Sequence, residues 1–183
     1  MTAAVLLCAG GSIRFSPNQH KLLAPFRGRP LVSWSLENVL AAGLDEVIVV
    51  EGPIELAQFC GDAVRVHNPD WSSGQSSSLQ TGIRAASARG HGTIVVGLGD
   101  QPFVPPSAWA AVASTASPIA VASFEGQRTP PVRLDRSVWP MLPVSGDVGA
   151  RELMKARPDL VREVPCQGRF IDVDTADDLI RWS

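Results

Sequence analysis

Lysine is nearly absent from this chain. Of its 16 basic residues only Lys21 and Lys155 are lysine, and the rest are arginine. No acidic residue precedes Glu37. Long apolar runs are missing too: nothing approaches the roughly 18 residues that a membrane-spanning helix needs. The short apolar stretch at the start has no basic segment before it, so it does not read as a secretory signal. Cysteine is sparse, with Cys8, Cys60 and Cys166 widely spaced and no C-x-x-C pair. That pattern excludes a disulfide framework or a zinc ribbon and suits reduced thiols in a cytoplasm. A basic excess is also lacking. The net charge is −2, which argues against a dedicated nucleic-acid binder.

What remains is ordinary globular chemistry: 183 residues, 45% hydrophobic and 19% charged. That length predicts one domain over residues 1–183. The charge is unevenly placed. Residues 1–36 carry Arg14, Lys21, Arg27 and Arg29 for +4, so the remainder must carry −6 to reach the total of −2. Short apolar runs alternate with helical patterns. Strands are expected at Ala3–Cys8, Glu46–Val50, Val64–His67, Thr93–Leu98, Ile119–Ser123 and Phe170–Val173. Helices are expected after Pro30, over Ser76–Arg89, Ser107–Ala116 and Gly149–Ala156, and from Thr175. Gly126–Gly149 reads as an irregular insertion pairing at the sheet edge. The alternation predicts an α/β fold, a three-layer α/β/α Rossmann-like domain with a mostly parallel central sheet. Ligands in such folds bind beyond the carboxyl ends of the strands.

Four segments lie at such ends. Leu7-Cys8-Ala9-Gly10-Gly11-Ser12-Ile13-Arg14 follows the first strand, with Lys21 downstream. Small residues there let backbone N–H groups approach phosphate oxygens. Glycine serves a plain strand-to-helix turn equally well; the acid-free cationic leader favours phosphate. It is neither a Walker A loop nor a dinucleotide fingerprint. Gly99-Asp100-Gln101-Pro102 places a carboxylate after a buried strand, where it suits magnesium held partly by substrate phosphates or a simple turn cap. Asn68-Pro69-Asp70-Trp71 through Gly74 to Ser76-Ser77-Ser78 opens a helix with hydroxyls and N–H groups. It lacks the closing glycine of a nucleophile elbow. Asp172-Val173-Asp174-Thr175 precedes a capping box from Thr175 to Asp178, and Asp172 or Asp174 is a candidate second metal ligand. His20, His67 and His91 form no triad or metal motif and read as structural or surface residues.

In order, these segments resemble the MobA-like nucleotidyltransferases, in the molybdenum cofactor cytidylyltransferase branch. The family start, Leu-Ala-Ala-Gly-x-Ser-x-Arg, stands here as Leu7 to Arg14, followed by Gln19-His20-Lys21-Leu22-Leu23. Asn68 to Leu79 is similar to the nucleotide-base segment, Gly99 to Pro102 to the metal motif, Gly146-Asp147-Val148-Gly149-Ala150-Arg151 to the acceptor-side motif, and Asp172 to Thr175 to the closing one. The resemblance implies transfer of CMP from CTP to the phosphate of molybdopterin, with release of pyrophosphate and a requirement for Mg2+. It implies catalytic roles for Arg14, Lys21 and Asp100. Nucleotide binding falls to Leu7, Ala9, Gly10, Gly11, Ser12, Asn68, Gly74, Ser77 and Ser78 with those three, and acceptor contacts to Gly146, Asp147, Gly149 and Arg151. It further implies small-molecule substrates and docking to a molybdoenzyme. Three features depart from the pattern. Cys8 and Ser16 replace the usual Ala and Gly. Gln75 stands for Met. Thr129-Pro130-Pro131-Val132 occupies the usual Gly-[His/Asn]-Pro-Val. Pro130 keeps other phosphorylated acceptors open, such as a sugar phosphate; base choice rests on the segment Gly74 to Leu79 and leaves GTP open, and a non-catalytic cofactor chaperone is a further alternative.

Overall fold

The computed structural model describes residues 1–12, 15, 19–169 and 171–182. In chain order its elements are β1 (Thr2–Cys8), β2 (Pro25–Phe26), β3 (Arg29–Pro30), α1 (Leu31–Leu40), β4 (Glu46–Glu51), β5 (Val64–His67), α2 (Gln75–Ala88), β6 (Thr93–Leu98), α3 (Pro106–Ser114), β7 (Ile119–Phe124), β8 (Gln127–Asp135), α4 (Arg151–Ala156), β9 (Val161–Pro165) and α5 (Ala176–Trp182). Seven strands form one sheet in the order β5-β4-β1-β6-β8-β7-β9. Every neighbouring pair is parallel except those of β8, which runs antiparallel to both β6 and β7.

Strand alternation sends apolar side chains to both faces of β1, as expected for a central parallel strand. Ala3, Val5 and Leu7 face α2 and α4 through Leu79, Ile83, Ala86 and Leu153. Ala4, Leu6 and Cys8 face α1 and α3 through Val32, Leu36, Val39, Trp109 and Val112. The three-layer α/β fold is therefore as the sequence predicts. Among the described residues, no helix is long and apolar enough to cross a membrane.

Two expectations about the second half need correction. The segment after Gly126 is not an edge insertion, because β8 lies inside the sheet between β6 and β7. The tight Glu125-Gly126 turn, with φ of 51° and 81° at its two residues, returns the chain beside β7. Val121 pairs Val132 but Ala122 pairs Thr129, so Pro130 and Pro131 fall outside the ladder. Proline has no N–H to give it, which explains the bulge there. The last strand is β9, parallel to β7. Residues 171–173 form no strand, and Phe170 lies outside the described residues.

A small aromatic cluster holds the C-terminal end. Phe26, Leu31 and Val173 are buried against Phe103, Leu179 and Trp182. The Arg27 Nε donates to the Trp182 carbonyl at 3.0 Å, and its guanidinium lies 4.9 Å from the Phe103 ring centroid. Arg29 stacks on Trp34 at 3.8 Å and pairs with Glu37. These two cations therefore dock α5 and brace the β2–β3 ribbon. Thr175 and Asp178 exchange side-chain-to-backbone hydrogen bonds at 2.9 and 3.1 Å, the capping box anticipated from the sequence.

At the opposite edge of the sheet, Glu46 accepts both Arg89 nitrogens, at 2.6 and 2.5 Å, and lies 3.0 Å from the Nε2 of buried His91. The Arg89 hydrogen bonds, followed by His91, lower the Glu46 pKa from 4.5 to about 2. A depressed carboxylate stabilises the fold above its ordinary value and loses that contribution as pH falls through the folded value. Stability is thus expected to decline between pH 4.5 and about 2. Glu46→Gln is expected to flatten that acid limb and to be less stable at neutral pH, as measured by urea unfolding across pH.

Candidate functional site

Parallel strands bring Cys8, Glu51, His67 and Leu98 to the same edge of the sheet. The loop after β1 turns at Gly10 and Gly11. A Cβ on Gly11 would lie 2.6 Å from the Trp71 indole, so only glycine permits this approach. His20 anchors the loop from below. The Leu22 N–H donates to its Nδ1 at 3.3 Å, which leaves the proton on Nε2 to be donated to the Gly10 carbonyl at 2.7 Å. The same Nε2 lies 3.2 Å from the Ser12 hydroxyl. Burial first, and the Lys21 charge as well, lower the His20 pKa. The histidine read as structural thus holds the glycine loop open. Arg14 and Ser16 lie outside the described residues.

Lys21 stands at the centre. Its Nζ donates to Asp100 Oδ2 at 2.5 Å and to Asp174 Oδ1 at 3.0 Å. Burial disfavours the ammonium, but Asp100 and then Asp174 outweigh it and raise the Lys21 pKa. Asp100 is held by its neighbours' backbone. The Gly99 N–H donates to the Leu7 carbonyl at 3.0 Å, the Ser35 hydroxyl donates to the Gly99 carbonyl at 2.9 Å, and the Val173 N–H donates to the Asp100 carbonyl at 3.2 Å. The other carboxylate oxygen, Asp100 Oδ1, is buried and has no hydrogen-bond partner among the described residues. An orphaned carboxylate oxygen fits a cation, since leaving it unpaired costs free energy. Asp172 accepts from Gln101 Nε2 at 2.7 Å. Burial raises its pKa despite that bond, with Asp100 and Asp174 adding to the effect. Among the described residues no three His, Cys, Asp or Glu side chains form a metal cage. The donor set instead suits a hard ion completed by phosphate oxygens, held by Asp100 with Asp174 or Asp172.

Two adjoining cavities flank this cluster. The first, about 400 Å³, is lined by Leu7, Ala9, Gly10, Gly11, Lys21, Gly74, Ser78 and Asp100, all anticipated from the sequence. Cys8, Trp71 and Gln75 also line it. The buried Cys8 thiol is pushed well above its ordinary pKa, chiefly by burial. Asn68 and Ser77 do not reach this cavity. Asn68 Nδ2 donates to the Ser77 and Ser78 hydroxyls at 2.9 and 3.0 Å, and Ser77 donates to the Asp70 and Gly74 carbonyls. They form the scaffold behind the cavity wall. The second cavity, about 310 Å³, has an apolar lining of Leu79, Val96, Val132 and Met154 with the exposed cations Arg128, Arg151 and Lys155. Asp147, Gly149, Pro130 and Asp172 also face it. Leu7, Gln75, Leu98 and Asp147 line both cavities, so the two share a wall.

Asp147 has a second task that sequence reasoning missed. Its Oδ1 accepts from the Gln75 N–H at 3.2 Å, and the Gly146 carbonyl accepts from the Ser76 N–H at 2.9 Å. The start of α2 therefore gives these two N–H groups to the 146–147 loop, not to a ligand. Gln101 was also missed. Buried between Asp172 and the Thr129 hydroxyl, 3.3 Å away, it ties the C-terminal acids to β8. Its only sequence signal was its place beside Asp100.

Residues 4–161 match the MobA-like NTP transferase domain. The chain belongs to this family. Among relatives of this MobA-like chain are the nicotine blue oxidoreductase of Paenarthrobacter nicotinovorans and the purine catabolism protein PucB of Bacillus subtilis. Each is 34% identical over 97% of this chain and 94% of its own length. Rv0371c of Mycobacterium tuberculosis, solved as a complex with manganese, superposes with a TM-score of 0.74 at 28% identity, covering 99% of this chain and 97% of its own. A nucleotidyl transferase from Methanothermobacter, Mth528, shares the fold with a TM-score of 0.80 at 23% identity, covering 99% and 95% of the two chains. The MobA-like chain is thus a member of a nucleotidyltransferase family.

Proposed function

We propose that the chain transfers CMP from CTP to the phosphate of molybdopterin, releasing pyrophosphate, with Mg2+ as the required ion. The observation that carries this reading is the orphaned Asp100 Oδ1 beside Lys21, where a glycine-walled cavity meets an apolar cavity with basic side chains. In this reading the triphosphate lies along Gly10 and Gly11, with Arg14 as a further cation. Ser12, Gly74 and Ser78 border the nucleotide. Asn68 and Ser77 act by holding the start of α2. The acceptor lies over the apolar lining, its phosphate drawn by Arg151, Arg128 and Lys155. An acceptor phosphate oxygen attacks the α-phosphorus, the bond to the bridging β-oxygen breaks, and the electron pair leaves with pyrophosphate. Lys21 and Arg14 stabilise the charge that builds on the transferring and leaving oxygens. A divalent ion on Asp100, with Asp174 or Asp172, supplies Lewis-acid stabilisation of the phosphoryl oxygens. No protein nucleophile is needed. The manganese complex of Rv0371c supports the metal requirement. Docking to a molybdoenzyme would deliver the product.

One observation favours a second acceptor. Pro130 lines the acceptor cavity where the family pattern has His or Asn, so a sugar phosphate or another phosphorylated cofactor is the alternative. Base choice is read by a thermal-shift panel of CTP, GTP, ATP and UTP with Mg2+. A ligand bound only by the native state raises the midpoint, and at equal concentration a tighter ligand raises it more. CTP is expected to give the largest shift, and the smallest shift from CTP would overturn the base assignment.

A further inference from the structure

We infer that Lys21 occupies the cation position between Asp100 and Asp174 until nucleotide phosphates draw it away, so that divalent metal and nucleotide bind together and metal alone binds weakly. This rests on the reading of the cluster as a metal site. The geometry is specific. Lys21 Nζ bridges Asp100 Oδ2 and Asp174 Oδ1 at 2.5 and 3.0 Å, with only 14% of its side chain exposed. A divalent ion reaching both carboxylates needs the space that the ammonium fills, and two cations on the same acids repel. Lys21 nevertheless lines the nucleotide cavity beside Gly10 and Gly11. Its flexible four-carbon stem and compact charge let it exchange a carboxylate partner for a phosphate with little rearrangement.

The exchange keeps a cation on the carboxylates in both states. Without nucleotide, the single ammonium bridges Asp100 and Asp174 and offsets one of their two charges. With nucleotide, Lys21 neutralises phosphate oxygens and the divalent ion takes its place on the carboxylates, where Asp100 Oδ1 already lacks a partner among the described residues. Metal and nucleotide must then tighten each other's binding by the same factor.

The test is Mn2+ titration of the full chain, read by the electron paramagnetic resonance signal of free Mn2+. It is run with and without the non-reacting analogue α,β-methylene-CTP, and Mn2+ held by the analogue alone, measured without protein, is subtracted. In the unsubstituted chain the analogue is expected to tighten Mn2+ binding about tenfold or more, within the usual range of such couplings. Lys21→Met and Lys21→Gln are each expected to bind Mn2+ alone about tenfold more tightly than the parent, a gain that mere structural damage would not produce. Folding is checked by circular dichroism. Equal Mn2+ affinity with and without the analogue in the parent chain overturns the inference without recourse to any variant. So does either folded Lys21 variant binding Mn2+ alone no better than the parent. Asp100→Asn separates the two levels. If it leaves analogue-supported Mn2+ binding unchanged, the metal-site reading itself fails. If it abolishes that binding while Lys21 substitution brings no gain, only the exchange fails.

Discussion

Asp100→Asn is expected to lower pyrophosphate release about a hundred- to a thousandfold, the scale lost when a principal electrostatic contact of a transferring group is removed. The fold should survive. The substitution is nearly isosteric, and Asp100 is held through its backbone, whose carbonyl accepts from the Val173 N–H at 3.2 Å. The side chain, in contrast, carries the charge on the buried Oδ1 and the partner of Lys21. An asparagine keeps the shape and one oxygen but loses the anion that attracts both Lys21 and a divalent ion. Steady-state release from CTP, acceptor and Mg2+, with thermal midpoints for both proteins, checks the expectation. Turnover within a few-fold of the parent would remove Asp100 from the reaction.

Gly74→Ala should act on both halves of the cleft at once. Gly74 has φ +111° and ψ 172°, a region open essentially to glycine alone. A Cβ there would lie 2.6 Å from the carbonyl carbon and oxygen of Gly146 and 2.8 Å from Asp147 Oδ1. Backbone strain alone costs about 1–3 kcal/mol, and the clash adds to it. For a chain of this length the midpoint is expected to fall by roughly 5–10 °C. The 146–147 loop must also move from the start of α2. Asp147 lines both cavities, so the KM for nucleotide and for acceptor should rise together. Calorimetry and separate KM measurements test this. An unchanged midpoint with both KM values unchanged would show that the loop is not held by Gly74.

The strands that carry the glycine-walled cavity were legible because their chemistry is local. Ala3–Cys8 and Thr93–Leu98 are unbroken apolar runs, and the small residues after them have few other uses. The capping box at Thr175 was equally plain, since its four residues specify their own hydrogen bonds. β8 was hidden by Pro130 and Pro131, which argue against a central strand until the bulge removes them from the ladder. β9 was hidden in a different way. Val161-Arg162-Glu163-Val164-Pro165 is short and half-exposed, and its pairing with β7 depends on a contact more than 35 residues away in sequence. The candidate acids show the same division. Asp100 was evident from its strand end, but Asp172 and Asp174 lay at the close of the strand expected over Phe170–Val173, where nothing local said which would meet the cleft. In an irregular segment both approach it, Asp174 through Lys21 and Asp172 through Gln101. By sequence the start of α2 offers open N–H groups, and only the folded chain reveals Gly146 and Asp147 already bonded to them.

The most direct measurement follows the α-phosphate. CTP labelled with 32P at the α-position is incubated with the chain, molybdopterin and Mg2+, and the products are separated. The label is expected on the molybdopterin-derived product, with unlabelled pyrophosphate released in equal amount and no transfer by Asp100→Asn. Label remaining in CTP, with molybdopterin bound but unmodified, would contradict nucleotidyl transfer to this acceptor. Label passed to a phosphorylated sugar or another phosphorylated cofactor supplied in place of molybdopterin, but not to molybdopterin, would move the assignment to that acceptor.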